Sequence, residues 1–225
     1  MNKYIATGAA LMLTTSMASA GGLDRSGQPI SVLFEEGTYA ELSFGMVMPD
    51  VSGTGLGLSS GNMAQDYNNM SLAYKTDMSD RVSVAIIFEQ TYGAAIDYTS
   101  ADAGYPVPPV TAELSGFTLA ALARYQVNER FSVHGGLRYV TMSGEIDLTA
   151  ALGPVFNYES SSDVGDTIGA SYEMPDTAMR ASLASKSSTT HNHAVTAGAP
   201  TSASAAPYNL HKSFAPQSCT LFALT

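Results

Sequence analysis

The sequence predicts an all-β chain: a transmembrane antiparallel β-barrel that is incomplete, with roughly seven strands, followed by a disordered C-terminal tail. Three observations carry that reading. Long segments alternate apolar and polar residues with a period of two, the mark of a strand with two different faces. Their connections alternate between short polar turns and long Gly/Ser/Pro loops, as in outer-membrane barrels. In the clearest segments one face holds no Lys, Arg, Asp or Glu, while Glu41, Glu89, Arg124 and Arg138 fall on the other.

Composition narrows the class further. Charged residues make up 13% of the 225 positions and hydrophobic residues 45%. A disordered chain needs the reverse balance. A formal charge of −10 offers no basic stripe to replace counterions on phosphate, so a nucleic-acid partner is not expected. One cysteine excludes an internal disulfide framework and a thiolate zinc cage.

The first twenty residues read as a secretory signal. Lys3 precedes an apolar run from Ile5 to Leu13, and Ala18-Ser19-Ala20 forms a small-residue cleavage site. No later stretch reaches the ~18 consecutive apolar residues of a membrane-spanning helix, so a membrane-bound form must span as a closed barrel. Residues 21–37 form a short plug-like segment ahead of the barrel strands, which occupy 38–183.

The strands follow in order. Tyr39 to Met48 places Leu42, Phe44, Met46 and Met48 on one face. A long loop, Pro49 to Gln65, leads to a strand near Tyr67 to Lys75, and a short turn over Thr76–Arg81 comes next. Val82 to Tyr98 sets Val84, Ile86 and Phe88 against Ala85, Ile87 and Glu89. Thr99 to Ala112 contains Pro106, Pro108 and Pro109, which cannot donate to a central ladder. Leu114 to Val127 and Phe131 to Leu148 alternate similarly around the tight turn Asn128-Glu129-Arg130, with Phe117 and Leu137 on the apolar face. A third long loop, Thr149 to Asp163, precedes Val164 to Met174, and a turn at Pro175-Asp176-Thr177 leads to a last strand ending near Leu183. From Ala184 the chain becomes rich in Ser, Thr and Ala, without apolar alternation, and holds three of the four histidines. Residues 184–225 are expected to be a disordered tail or out-of-frame sequence.

Several stretches resemble the FadL-type family of outer-membrane transporters for long-chain fatty acids and other hydrophobic compounds. These are Gly21 to Gly27, Thr38 to Gly53, Leu72 to Tyr98 with its Tyr92-Gly93 pair, Leu119 to Ile146, and Ile168 to Leu183. The resemblance covers residues 1 to about 183. It implies a fourteen-stranded barrel, here represented by its first half, plugged by an N-terminal hatch and passing hydrophobic molecules without energy input. It further implies the outer membrane of a Gram-negative bacterium, lipid as surroundings and no cofactor.

Candidate sites follow from the same pattern. Apolar residues in the long loops, Leu56, Leu58, Val107, Val110, Leu152, Val155 and Phe156, could line a capture groove for hydrophobic molecules such as long-chain fatty acids. Glu41, Glu89, Arg124, His134 and Arg138 are expected to form a polar network in the lumen. Acidic lumen charges would favour a neutral or protonated ligand. His191-x-His193 lacks an evident third ligand, so no metal is expected. Cys219 is expected to be an inert thiol. The chain is not expected to be an enzyme. Two alternatives stand beside transport: a lipid-modifying esterase or acyltransferase using His134 with a serine such as Ser132, and a soluble lipocalin-like lipid carrier.

Overall fold

A computed structural model describes residues 23–26, 30–151, 153–174, 179–198 and 208–214. The leader at 1–20, the turn at 175–177, Leu152 and Cys219 lie outside these residues. The fold is all-β. A 3-10 turn at Ser31–Phe34 precedes β1 (Tyr39–Val47), the small hairpin β2 (Thr54–Gly55) and β3 (Leu58–Ser59), then β4 (Tyr67–Ser79), β5 (Val82–Asp97), β6 (Thr111–Gln126) and β7 (Phe131–Asp147). A second 3-10 turn at Thr149–Ala151 leads to β8 (Val155–Met174), β9 (Met179–Lys186), β10 (Thr189–Gly198) and β11 (Tyr208–Phe214).

The main sheet has the order β1-β4-β5-β6-β7-β8-β10-β11, with β9 also on β8. Every pairing is antiparallel. The sheet curls strongly into a half-barrel. Strands β4 to β8 run 13 to 20 residues, beyond the ~9–11 that cross a bilayer at a tilt.

The expected alternation is present in three dimensions. Leu42, Phe44, Ile86, Phe117 and Leu137 all face outward and are exposed, Leu42 at 74%. Inner positions on the same strands, such as Ala85, Ile87, Ala120, Leu122 and Val140, are buried. The plug-like segment packs inside the curl: Ile30, Val32, Leu33 and Phe34 meet Ala73, Ala85, Ile87, Ala120, Leu122 and Ala184. Small wall residues make room for the turn that fills the concavity.

Two boundaries differ from expectation. The third loop does not extend to Asp163, because β8 begins at Val155 and pairs with the upper end of β7. Its Asn, Ser and Asp residues have loop-like composition, yet the ladder and cross-strand bonds such as Thr141 Oγ1 to Ser162 Oγ at 2.9 Å hold them extended. Val155 and Phe156 therefore sit in a strand, not a loop.

The strand pattern also continues past Ala184. β9 lies beside Thr167–Met174 of β8 and β10 beside Val155–Tyr158, so the two form one long strand interrupted at Ser187 and Ser188. Buried positions step from Ser182, Ala184 and Lys186 to Thr189, His191, His193 and Val195 across that interruption, as an inserted residue in a strand requires. The alternation is invisible to an apolar count because its inner face is polar.

Candidate functional site

The wall is not paired continuously. β4 follows β5 from Ser79 beside Val82 up to Ser71 beside Glu89. Above that point β5 carries an extra residue, Thr91, and its register against β6 shifts between Gln90 and Tyr92. A bulge of this kind bends a strand and ends pairing locally. The edge that β4 vacates is taken by the N-terminal segment: Arg25 N donates to Thr91 O, and Gly93 N donates to Leu23 O, both at 2.8 Å. Higher up, Gln65 N donates to Ala95 O at 3.2 Å and Asp97 N to Met63 O at 2.9 Å. A short stretch of wall is thus built from Leu23–Ser26 and the 63–65 loop.

Side chains fasten this insert to β4. Asn69 Nδ2 donates to Arg25 O at 3.0 Å, and the Arg25 guanidinium lies 3.8 Å from the Tyr67 ring centroid. The Arg25 guanidinium occupies the space beside Gly93, so a Cβ there would displace it.

Beside the insert lies a mostly apolar cavity of about 360 Å³. Its inner-face residues are Leu23, Ala94, Ile96, Ala112, Leu114, Gly144, Ile146, Tyr158 and His193, and it also touches Glu113 and Glu145. Leu23 belongs to both the wall insert and the cavity. His193 is buried; its Nδ1 donates to Glu159 O at 2.8 Å, and its ring meets Tyr158 edge-on at 6.3 Å. Below the cavity, Tyr92, Val140, Met142 and Leu114 pack together.

The expected polar network divides into separate groups. Glu89 and Arg138 are buried and border one small space with Lys186; the Ser26 side chain hydrogen-bonds Glu89. Arg138 Nη2 also donates to Ser187 O at 2.9 Å. Nearer the short-turn end, Arg124 Nη2 and Arg180 Nε donate to the same Glu173 Oε1, at 3.0 and 2.9 Å. Both guanidiniums cover Phe34, 4.5 and 4.2 Å from its centroid, and His134 meets that ring edge-on. Glu41 joins neither group; it is exposed on β1 and accepts from Tyr39 Oη at 3.2 Å.

His134 is buried and its Nδ1 lies 3.4 Å from Ser171 Oγ, which is 2.8 Å from Ser182 Oγ. Ser132 Oγ, the serine expected beside it, has no hydrogen-bond partner among the described residues, and neither does His134 Nε2.

The concave side carries both signs of charge: Lys75, Arg124, Arg138, Arg180 and Lys186 lie there alongside Glu89 and Glu173. The sequence reading missed Lys75, Glu173, Arg180 and Lys186. Lys75 shares strand parity with buried Ala73, a signal available in the sequence; Lys186 lay in the segment taken for a tail. Lys75 Nζ donates to Glu35 O at 2.6 Å and Gly37 O at 2.9 Å, and pairs with Asp77.

None of the expected loop residues that are described lines the apolar cavity; Leu152 lies outside the described residues. Leu56 is 88% exposed in the β2–β3 turn with φ 53°. Leu58 lies in β3; Val107 and Val110 are half-buried in the β5–β6 connection, and Val155 and Phe156 are half-buried at the start of β8. Among the described residues no group of three or more His, Cys, Asp or Glu could hold a metal ion. No family model and no curated protein matches the chain.

Proposed function

We propose that this chain forms part of an outer-membrane β-barrel that passes hydrophobic molecules down their gradient, as its resemblance to FadL-type transporters implies. The observation carrying the reading is the break in the β4–β5 pairing, closed by Leu23–Ser26 and the 63–65 loop in place of β4, with an apolar cavity against the same Leu23. In lipid an unpaired edge is costly, so a wall segment replaced by a non-strand insert is a device rather than a default. The outward belt of Leu42, Phe44, Ile86 and Leu137 suits hydrocarbon surroundings and a site in the outer membrane. A hydrophobic molecule would enter the cavity and leave sideways past the insert, with the Ile30–Phe34 plug below it closing the direct aqueous path. Long-chain fatty acids are the ligands the resemblance suggests.

The test locks the insert. In a Cys219→Ser background, Arg25→Cys with Asn69→Cys joins the insert to β4 under oxidation. Uptake of a fluorescent hydrophobic probe by vesicles holding the protein should fall when the bridge forms and return on reduction. Equal uptake in both redox states refutes passage at this point in the wall.

A further inference from the structure

We infer that the apolar cavity selects a neutral ligand bearing one hydrogen-bond donor, a hydrophobic phenol or alcohol, over a carboxylate of the same size. The inference rests on the transport reading above and narrows its ligand. The deciding group is His193. Its Nδ1 donates to the Glu159 carbonyl at 2.8 Å, so the neutral tautomer carries its proton on Nδ1 and presents Nε2 as an acceptor. No partner for Nε2 is found among the described residues, and the ring lines the cavity.

The remaining chemistry of the cavity points the same way. Among the described residues it touches no Lys or Arg, and the charged residues it touches are Glu113 and Glu145, opposed on β6 and β7. Arg25 lies outside the lining, against Gly93 and Tyr67. A carboxylate entering here would lose its hydration without meeting a cation, and burial of an unpaired charge is the costliest exchange a site can demand. A hydroxyl loses less and donates to His193 Nε2, while the Tyr158 hydroxyl can complete its hydrogen bonding. At about 360 Å³ the cavity sits near the lower end of ligand sites, ~300–1,000 Å³, which suits a compact ring or short chain.

Three probes with one ring system separate the possibilities: 1-naphthol, its methyl ether, and 1-naphthoate, each titrated by fluorescence into the detergent-solubilised chain. Naphthol is expected to bind about tenfold tighter than either of the others, the factor one satisfied buried hydrogen bond supplies. His193→Phe should bring naphthol to the level of the ether, and His193→Gln, which keeps an acceptor, should retain part of the preference. The three-probe comparison on the unaltered chain needs no variant to fold. An ether or carboxylate that binds as tightly as naphthol overturns the donor preference while leaving hydrophobic transport intact. Failure of all three to bind, with no effect of filling the cavity by Leu114→Trp, removes the cavity from the transport reading itself.

Discussion

Phe34 is the point at which the plug is held in the curl, and replacing it should release the plug. Its ring is 7% exposed and is covered by the Arg124 and Arg180 guanidiniums, 4.5 and 4.2 Å from its centroid. Glu173 holds both cations in place, so their position over the ring is set by a third group and costs little additional ordering. Phe34→Ala removes the buried ring and leaves a cavity, a change that costs about 3–5 kcal/mol in cores. Phe34→Leu keeps most of the apolar volume and removes only the ring face; with two partly desolvated cation–π contacts at ~0.5–2 kcal/mol each, its loss should be about 1–4 kcal/mol. The chain has no Trp and 12 Tyr, so urea unfolding in detergent can be followed by tyrosine fluorescence. Amide exchange at residues 30–34 reads the plug directly. A Phe34→Leu variant within about 0.5 kcal/mol of the parent, with unchanged exchange, would refute the claim that the cations hold the ring; that margin is the scatter of ordinary surface substitutions.

Three further outcomes are expected. Gly136→Ala places a Cβ 2.0 Å from Ala121 O and 2.8 Å from Leu122 Cα; both are main chain, so the β6–β7 register must yield and the loss should reach or exceed the ~1–3 kcal/mol of ordinary overpacking, read as reduced heat-resistant assembly. Lys75→Met keeps the stem but removes the donor to Glu35 O and Gly37 O; a loss of about 1.5–3 kcal/mol and faster proteolysis at residues 35–37 should follow, and unchanged proteolysis would count against this anchor. Leu137→Arg, at an outward position that is 61% exposed, should cost ~2–4 kcal/mol if the position meets the bilayer midplane. In water the same change would be nearly neutral, so assembly in lipid vesicles that is indifferent to Leu137→Arg would argue against a membrane setting.

The fold class and the outward faces of β1, β5, β6 and β7 were legible because a period of two is a local property. Phe44, Ile86, Phe117 and Leu137 could each be assigned from their immediate neighbours. The cavity was not legible. Ala94, Ala112, Ile146 and His193 lie on four different strands, and only the register brings them together. The wall break depends on a single added residue, Thr91, in an apparently uniform strand, and on a partner segment more than sixty residues earlier in the chain. The same limit explains Glu41. Its parity is right for the lumen, yet β1 is at the sheet edge, where among the described residues no further strand faces it.

The composition change at Ala184 records a change in what the outer surface is made of, not an end of extended structure. Up to β9 every long strand carries exposed apolar residues on its outer face: Leu42 and Phe44 on β1, Leu72 on β4, Ile86 on β5, Leu119 on β6, Leu137 on β7, Ile168 on β8 and Leu183 on β9. After Leu183 the exposed positions become Ser185, Asn192 and Thr196. The inner face shows no such break, because Thr189, His191 and His193 are as buried as the residues before them. They are held by polar bonds to β8: Thr190 N donates to Asp163 Oδ2 at 2.6 Å, His191 Nδ1 to Ser161 O at 3.1 Å, and Asn192 N to Ser161 Oγ at 3.0 Å. Bonds to β8 side chains and carbonyls span the stretch of β8 between its ladder with β10 and its ladder with β9. Two different forces therefore keep strands in this sheet. Along β1 to β9 an apolar outer face and a ladder act together, whereas β10 depends on backbone pairing and lumen-side polar contacts alone. A reading tuned to apolar alternation detects the first kind of strand and passes over the second.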